Sequence, residues 1–542
     1  MGQVRNILFI MADQLRWDAL SCYGATAIDT PNIDRLCARG VRFDRAYAQG
    51  ATCGSSRMSF YTGRYVYSHG ARYNDVPLRV GEPTMGDHLR RAGVDTYLVG
   101  KTHSTADRAG MELLGIEPDS PMGRRHLDAG FDTVVRYEGL HPDGWSDTET
   151  APYNTFLRER GYEGENPWHT AANGGRDPEG RFVSGWLLRS GGYPAIVADE
   201  HSETAWTTDL AIDFITRQAD RPWALHLSYI KPHWPYIVSA PYHDQVDVDS
   251  LPTPNRSDSE RGAHPATGAF HLARIGRTFS NDEVRQTVYR AYFGLIRQLD
   301  DHLGRLWAAL DKMGRTDDTM IVLTSDHGDY LGDHWMGEKD YLHEEAVRLP
   351  FIVADPSPSA DGLRGTSSDA LVESIDLVPT FVDRLGGAAD DRWLEGRSLA
   401  PVLDGSTAVV RDGSFAEADY GFREMRDHLS VDAPRWLRAT MVRADRWKYL
   451  FHELYEPQLF DLENDPGELA DLGTDPGYAT IRSDLRSRLE EWFRRRDVDP
   501  LVPPRRLGRS PAEGGPLERG IAIGYWDEAT IEEVQSRNAA RP

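Results

Sequence analysis

Two apolar runs that end in acidic residues constrain the fold of this chain most strongly. Residues 6–12 are followed by the polar pair Asp13-Gln14, and residues 319–325 are followed by an acidic stretch at 326–329, whose first two residues are the second pair. Runs of this length and β-branched content are typical of buried parallel strands, whose carboxyl ends hold ligands in open α/β sheets. The sequence therefore predicts an α/β fold with a large, mostly parallel sheet flanked by helices, and places both pairs at one sheet edge.

The side chains that follow these runs suit a divalent cation. Asp13 and Asp326 offer carboxylates, Gln14 offers an amide oxygen and His327 offers an imidazole. Because one nitrogen joins the oxygen ligands, manganese fits this set about as well as calcium. Each pair alone is equally compatible with a strand-end turn or a helix N-cap. Together they predict one divalent cation, calcium or manganese, per chain.

A cysteine at a predicted helix start is a candidate nucleophile. The segment 52–64 places Cys53 four residues before Arg57, with small residues between them. The free N–H groups of a helix start would face an anionic ester, and an arginine would bind its oxygens through two hydrogen bonds. A cysteine beside two serines is also compatible with a structural role. The segment favours chemistry when it is combined with the cation site.

Seven short sequence motifs lie between residues 6 and 495. They are Asp13-Gln14, residues 30–36, the signature 53–57, residues 100–103, residues 231–235, residues 325–328 and Lys339. In combination they resemble the sulfatase family of the alkaline-phosphatase-like superfamily. The resemblance is closest to the branch of bacterial phosphonate monoester hydrolases and arylsulfatases. It implies an alkaline-phosphatase-like fold and a hydrolase of sulfate monoesters, phosphonate monoesters or both.

The resemblance implies that Cys53 is oxidised to formylglycine by a formylglycine-generating enzyme. The aldehyde hydrates to a geminal diol. One hydroxyl, activated by the metal, attacks sulfur or phosphorus, and the other allows the hemiacetal to collapse and release the product. By the same resemblance the modified Cys53 joins the four predicted ligands at the metal, and Arg57 steadies the diol.

Five further polar residues acquire roles through the resemblance. Asn74, Lys101, His233 and Lys339 would bind the substrate, the two lysines by neutralising its oxygens and Asn74 by donating a hydrogen bond. His103 would deprotonate the hemiacetal, and His233 or Lys339 would protonate the departing alkoxide. Each position alone is compatible with an ordinary surface or core residue. Their spacing around the motifs favours the catalytic roles.

Two features depart from the family pattern. Ser55 stands where the formylglycine-generating enzyme usually reads Pro or Ala, so an unmodified, metal-binding pseudoenzyme is an alternative. Lys101 and His103 match the Gly-Lys-x-His segment of sulfatases, where phosphonate monoester hydrolases have uncharged residues. This favours sulfate ester turnover. A phosphodiesterase, or a sugar or choline sulfatase, is a further alternative within the superfamily.

Charge and cysteine content limit the partners and the compartment. The net charge of −24 disfavours nucleic acid and anionic membrane surfaces, so local cations must attract a small anionic ester. Three cysteines give no even disulfide framework and suit a reducing compartment. We find no signal-peptide pattern and no apolar run of about 20 residues. The sequence therefore predicts a cytoplasmic enzyme without a membrane span.

The pattern of predicted elements divides the chain into three parts. Residues 1–411 would form the catalytic domain, with helices over 31–40, 203–218 and 281–313. Weak periodicity over 105–196 predicts loops, which either shape a substrate pocket or form a long surface excursion without a binding role. Residues 412–497 would form a small antiparallel subdomain, with strands at 438–443, 447–451 and 458–462.

The third part, residues 498–542, is a tail rich in Pro, Arg and Gly. Its apolar stretch at 521–526 is poorly suited to water. Contact with a neighbouring subunit would make the enzyme a homo-oligomer, a dimer or a tetramer. Packing on its own chain is the alternative.

Overall fold

The computed structural model describes residues 4–139, 148–422, 424–429 and 436–496, together with positions 529, 532 and 536. The predicted tail at 498–542, and with it the predicted contact between subunits, lies outside the described residues apart from those three positions.

The strands and α-helices of the described residues follow in chain order. The strands are β1 (Asn6–Ala12), β2 (Val41–Tyr47), β3 (Thr96–Gly100), β4 (Asp132–Arg136), β5 (Gly174–Arg176), β6 (Phe182–Ser184), β7 (Pro194–Ala195), β8 (Ala224–Tyr229), β9 (Val238–Ser239), β10 (Thr319–Thr324), β11 (Arg348–Leu349), β12 (Phe351–Ala354), β13 (Thr366–Glu373), β14 (Ser414–Asp419), β15 (Arg438–Ala444), β16 (Trp447–His452) and β17 (Gln458–Asp461). The helices are α1 (Pro31–Arg39), α2 (Cys53–Thr62), α3 (Val66–His69), α4 (Met85–Arg91), α5 (Arg108–Leu113), α6 (Pro121–Leu127), α7 (Pro152–Arg158), α8 (Glu203–Gln218), α9 (Pro265–Leu272), α10 (Arg274–Phe279), α11 (Asp282–Lys312), α12 (Glu344–Val347), α13 (Leu377–Arg384), α14 (Ala400–Leu403) and α15 (Ala479–Arg496). Among these helices none is long and apolar enough to cross a membrane.

A mixed sheet with the strand order β11-β2-β12-β10-β1-β8-β3-β4 organises the fold, and β13 pairs with β2 beside it. The central pairings of β1 with β10 and β8, and of β3 with β8 and β4, are parallel, as is that of β13 with β2. Antiparallel pairings join β12 to β10 and β2, and β11 to β2. The predicted α/β fold with a large, mostly parallel sheet is confirmed.

Strand β1 shows why helices cover both faces of this sheet. All seven of its residues are buried. Leu8 and Ile10 belong to one apolar cluster together with residues of α11, whereas Phe9 and Met11 belong to another with residues of α2, α4 and α13. Successive side chains of a strand point to opposite faces, so a strand covered on both sides is apolar throughout.

The predicted helix over 281–313 is confirmed to within one residue at each end. Asn281 is the N-cap of α11, and its side chain accepts a hydrogen bond from the backbone N–H of Glu283 at 2.9 Å. Met313 is the C-cap. Val288 and Tyr292 are buried in the cluster on the main sheet. Local capping and an apolar stripe therefore fix this helix.

A separate antiparallel sheet in the order β14-β15-β16-β17 lies near the C-terminal end of the described chain. The sequence predicts three of its strands, whereas β14 was not predicted. Helix α15 packs on it through Leu485, Leu489 and Trp492. A backbone hydrogen bond of 2.9 Å from Glu417 to Gln49 links this sheet to the segment before α2. The domain boundary at residue 411 stays a prediction.

The prediction of loops over 105–196 was incomplete. The region contains α5, α6 and α7, and strand β4 extends the main sheet, with Asp132 opposite Tyr97 on β3. Strands β5, β6 and β7 form a small sheet with β9. Strand β4 escaped prediction because most of its five residues are partly or largely exposed, so the sequence lacks an apolar run there.

Candidate active site

The carboxyl ends of β1 and β10 bring the two predicted acidic pairs together. Met11 pairs with Thr324 in the parallel register, so the carboxyl ends of β1 and β10 lie side by side at one edge of the sheet. The backbone N–H of Gln14 donates to Asp326 Oδ1 at 3.1 Å, and both residues are fully buried. The two pairs, more than three hundred residues apart in the chain, therefore share one site.

Gln14 adopts a left-handed backbone conformation with φ of 64°. Its carbonyl accepts a hydrogen bond from Tyr292 at 2.7 Å. Its side-chain Nε2 donates to the Tyr236 hydroxyl at 2.9 Å and to Asp329, and its Oε1 accepts from Lys339 Nζ at 2.8 Å. A non-glycine residue in this region costs on the order of 1–3 kcal/mol, and such conformations cluster at functional sites. The surrounding contacts hold Gln14 in place.

Cys53 is the first residue of α2 and is 1% exposed. Its Sγ lies 3.0 Å from His327 Nε2 and 3.7 Å from Asp13 Oδ1. The next N–H of the helix, on Gly54, donates to Asn74 Oδ1 at 2.8 Å. Asn74 therefore caps the first turn of α2 beside the cysteine.

Four side chains offer donor atoms that suit a divalent cation. Ligand atoms of Asp13, Cys53, Asp326 and His327 all lie within 4.8 Å of one another, and all four residues are buried. His327 Nδ1 lies 2.8 Å from the carbonyl oxygen of Gly328. Because a carbonyl only accepts, Nδ1 carries a hydrogen and Nε2 faces the cluster, which is the usual arrangement of a metal-binding histidine.

Arg57 orients both carboxylates from the same side chain and is fully buried. Its Nε donates to Asp326 Oδ2 at 2.8 Å and its Nη2 donates to Asp13 Oδ2 at 3.1 Å. The Oδ1 atoms of these carboxylates each lie 3.8 Å from His327 Nε2. Arg57 therefore binds the Oδ2 atoms of both carboxylates and leaves their Oδ1 atoms facing the cluster. The sequence did not predict this supporting role.

Two lysines and a histidine complete the polar shell. Lys101 Nζ lies 2.5 Å from Asp13 Oδ2, and Lys339 Nζ lies 3.0 Å from His233 Nε2. All three residues are buried. Burial alone would raise the pKa of Cys53, but Lys339, Lys101 and His327 hold it well below its ordinary value. These positive charges favour the thiolate form of the sulfur.

The protonation of His233 follows from its contacts. Its Nδ1 lies 2.8 Å from the carbonyl oxygen of Trp234, so Nδ1 carries the hydrogen and Nε2 accepts from Lys339. Burial and the charge of Lys339 lower the pKa of His233 to about 4. Burial opposes the charge of Lys339, but Cys53 and Glu338 raise its pKa overall. At neutral pH the proton between these two side chains rests on Lys339.

His103 lies on the loop after β3 in a left-handed conformation, with φ of 48°. Its side chain lies beside Cys53 and contributes to the lowered pKa of that thiol. The loop is held by Glu138, which accepts from the His103 N–H at 2.9 Å and from the Thr102 hydroxyl at 2.8 Å. Glu138 was not predicted, because no sequence motif surrounds it.

All the predicted site residues thus gather around Cys53, and the structure adds supporting residues. Asp329 accepts from Tyr236 at 2.5 Å and from Gln14, and is fully buried. The sequence offered one signal for Asp329, its place in the acidic stretch 326–329. No sequence signal pointed to Tyr236.

Models of known protein families match most of the chain. The model described as Sulfatase matches residues 5–388. A model described as the C-terminal part of N-sulphoglucosamine sulphohydrolase matches residues 332–495.

Individual proteins similar to this chain span nearly its full length. A multifunctional alkaline phosphatase superfamily protein, PehA, from Trinickia caryophylli is 31% identical over 90% of this chain and 95% of its own length. An arylsulfatase from Clostridium perfringens is 28% identical, with coverage of 86% and 90%. Among solved structures, a phosphonate monoester hydrolase from Silicibacter pomeroyi aligns with a TM-score of 0.78 at 30% identity, over 91% of this chain and 96% of that one.

Proposed function

The chain belongs to the sulfatase family, and from that premise we propose that it hydrolyses sulfate monoesters, phosphonate monoesters or both, with a formylglycine derived from Cys53. One observation carries the proposal. Cys53 begins a helix at the point where the cation-type ligands and the ammonium groups of Lys101 and Lys339 converge. An anionic ester at this point would meet a nucleophile, a helix N-terminus and compensating positive charge.

We propose that Asp13, Gln14, Asp326 and His327 hold one divalent cation, calcium or manganese, together with the modified Cys53. The donor set fits such an ion because it is buried, largely anionic and oriented by Arg57. When bound, the cation would supply Lewis-acid stabilisation and lower the pKa of the attacking hydroxyl. The hydrated aldehyde would supply that hydroxyl and a second one for product release.

Lys101 and Lys339 would bind the substrate oxygens from two sides of the nucleophile. Their ammonium groups are buried and charged, so they would stabilise the negative charge that spreads over the oxygens in the transition state. Asn74 holds Gly54 through its Oδ1, so its Nδ2 is the group that would donate to the substrate. The transition states of sulfuryl and phosphoryl transfer share this geometry, which favours activity on both ester classes.

The proton for the departing alkoxide would come from Lys339. Sequence reasoning left His233 and Lys339 as alternatives for this step. The hydrogen on His233 Nδ1 is engaged with Trp234, and Nε2 accepts from Lys339, so the neutral imidazole has no proton to give. We propose that His233 positions Lys339 and that His103, beside Cys53, deprotonates the hemiacetal.

Sulfate monoesters are the class that we expect to be turned over best. Lys101 lies against Asp13 and His103 against Cys53, so both residues that match the sulfatase segment are at the site. Kinetics on an aryl sulfate, an aryl phosphonate monoester and a phosphodiester would compare the classes side by side. A phosphodiester preference would favour the alternative of a phosphodiesterase with a narrower pocket.

The decisive experiment is mass spectrometry of the tryptic peptide 46–57 after co-expression with a formylglycine-generating enzyme. Conversion of the thiol to the aldehyde lowers the peptide mass by about 18 Da. Detection of this loss together with turnover of an aryl sulfate would support the proposal. An intact thiol and no turnover would refute it.

A second candidate, a metal-binding protein without turnover, is favoured by Ser55 and by the thiolate. An unmodified Cys53 thiolate beside His327 would bind a soft ion such as zinc in preference to calcium. Intact Cys53 in the co-expressed protein, with zinc bound, would support this candidate.

The remaining parts of the proposal concern the assembly and the compartment. We propose a homo-oligomer, a dimer or a tetramer, that is matured by a formylglycine-generating enzyme in the cytoplasm, and a domain boundary near residue 411. Light scattering before and after truncation at residue 497 tests the first point. An unchanged mass per particle, apart from the lost tail, would remove the proposed role of the tail.

A further inference from the structure

A second group of metal-type ligands lies outside the Cys53 site. Ligand atoms of His334, Glu345 and Glu468 are within 4.8 Å of one another, and all three residues are buried. The proposed function uses none of them. We propose that this cluster, called here the second cation site, binds a divalent transition metal, with zinc as the best-suited ion. One imidazole with two carboxylates favours such ions over calcium and magnesium.

The orientation of His334 carries the first step. Its Nδ1 lies 2.5 Å from Glu260 Oε1, and its Nε2 lies 3.2 Å from Glu345 Oε2. A carboxylate on the far nitrogen is the usual partner of a metal-binding imidazole, because it fixes the ring and its tautomer. Ligands 2.0–2.2 Å from a tetrahedral zinc are about 3.3–3.6 Å apart, close to the observed 3.2 Å.

The two carboxylates are each fixed through one oxygen. Glu345 Oε1 accepts from Asn255 Nδ2 at 2.9 Å, and Glu468 Oε2 accepts from the Glu344 N–H at 2.7 Å. The opposite oxygens, Glu345 Oε2 and Glu468 Oε1, are among the buried atoms that accept no hydrogen bond within the described part of the chain. Each lies beside one nitrogen, the imidazole Nε2 of His334 and Lys448 Nζ respectively. A carboxylate oxygen has two lone pairs, so these contacts leave room for a metal bond.

The balance of charge also favours a bound cation. Four carboxylates gather here, those of Glu260, Glu344, Glu345 and Glu468. Lys448 lies 2.8 Å from two of them, and Arg348 lies 3.7 Å from Glu344. With a neutral imidazole the group is short of positive charge, and buried uncompensated carboxylates are costly. A divalent ion supplies that charge; a doubly protonated His334 between Glu260 and Glu345 is the competing arrangement.

A cavity of about 290 Å³ lies beside the site, and of the three proposed ligands Glu468 is among its lining residues. Its walls include Glu260, Glu468 and His343. The ring of His343 stacks on that of His334 with centroids 4.0 Å apart. The cavity has room for water, which would complete a tetrahedral site made of three protein ligands.

The second cation site would tie together segments that are distant in the chain. His334 and Glu345 flank the segment that carries Lys339, and Glu468 follows β17. The bound ion would therefore fasten the segment of Lys339 to the C-terminal sheet region. We expect removal of the ion to lower stability and to loosen the position of Lys339.

The test is the number of zinc ions per full-length chain, measured by elemental mass spectrometry after equilibrium dialysis. We expect two ions in the wild type, one in His334→Gln, and one in Asp326→Asn, which affects the Cys53 site. The control His428→Gln replaces an exposed histidine and should keep two. The two failures are distinguishable, because each variant affects one site. If His334→Gln keeps both ions, the second cation site is wrong, and if Asp326→Asn keeps both ions, the cation site at Cys53 is wrong.

Two results would overturn the second cation site. One is a single ion in the wild type that Asp326→Asn removes, and the other is two ions in both the wild type and His334→Gln. Circular dichroism and gel filtration check the fold of each variant. If His334→Gln does not fold, Glu345→Gln replaces it, because the amide keeps the size of the side chain and an acceptor for Asn255. If neither variant folds, the count in Asp326→Asn decides the matter: one remaining ion supports the second cation site, and none overturns it.

Discussion

Replacing Asp329 by asparagine should uncouple Gln14 from the active site. The carboxylate accepts from the Tyr236 hydroxyl at 2.5 Å, from Gln14 Nε2 and from the Leu331 N–H at 3.0 Å, all of them buried. An asparagine turns one of its two acceptors into an N–H₂ donor. That donor would face either the Leu331 N–H, in place of Oδ1, or both Tyr236 and Gln14, in place of Oδ2. All three already donate, so at least one hydrogen bond to a charged group is lost.

The size of the effect follows from these contacts. A buried hydrogen bond to a charged group contributes about 1.5–3 kcal/mol. The clash can be relieved by rotating the Gln14 amide, but Nε2 would then face the Lys339 ammonium in place of Oε1, and the bond of 2.8 Å would be lost. When the N–H₂ takes the place of Oδ2, the placement of Gln14 and Lys339 therefore loses about 1.5–3 kcal/mol. If the transition state needs that placement, kcat/KM falls by about 10- to 150-fold.

The assay compares kcat/KM on an aryl sulfate, with metal content and the thermal midpoint measured on the same samples. Asp427→Asn, on an exposed side chain, is the matched control and should match the wild type. The double variant Asp329→Asn with Gln14→Glu exchanges the carboxylate and the amide, so it restores the bond between them and keeps an acceptor for Lys339. We expect it to recover part of the lost activity. Asp329→Asn activity within about threefold of the wild type would refute this reasoning.

Three other perturbations have definite expected outcomes. Arg57→Leu should destabilise the protein by about 3–5 kcal/mol, because Asp326 loses its buried arginine partner and Asp13 keeps only Lys101. Urea unfolding without added metal measures this, and a shift below about 1 kcal/mol would contradict it. Ser55→Ala should raise the formylglycine fraction of Cys53 by restoring the recognition pattern, at a cost of about 1 kcal/mol for the lost bond to Thr52; an unchanged mass spectrum would count against it. The thermal midpoint should fall as pH falls from about 6.5 towards 4, because histidines that stay neutral in the folded protein take up protons in the unfolded chain. Each such histidine lowers the free energy of unfolding by up to about 1.4 kcal/mol per pH unit. Burial lowers the pKa to about 3 at His69, His226 and His452. A midpoint that is constant from pH 7 to pH 5 would contradict the linkage.

The parts of the fold that the sequence predicted are those with local signals. Helix α11 was located to a residue because Asn281 caps it and its apolar stripe is continuous. Strands β1 and β10 were located because burial on both faces makes them apolar throughout. Strand β4 has no such signal, since its place at the sheet edge depends on pairing with β3. Its position comes from tertiary contact, which the sequence pattern does not encode locally.

The active site divides in the same way. Residues that follow strand ends or lie in motifs, such as Asp13, Cys53 and Lys339, could be predicted as members of one site. The orienting role of Arg57 could not, because it depends on which carboxylate oxygens its guanidinium meets in three dimensions. The same holds for Glu138, which holds the loop of His103, and for Tyr236, which accepts from the side-chain amide of Gln14. Only the folded chain brings these partners together.

The burial of Cys53 would set a time limit on the proposed modification. The thiol is 1% exposed, and His327, against which it packs, lies 274 residues further along the chain. A ribosome that adds about 5–20 residues per second needs about 14–55 s to cover that distance. During this interval the cysteine has left the ribosome without the residues that later enclose it. Under the proposed function, a modifying enzyme would therefore compete with synthesis of the second half of the catalytic sheet, and slower translation of that half should increase the modified fraction.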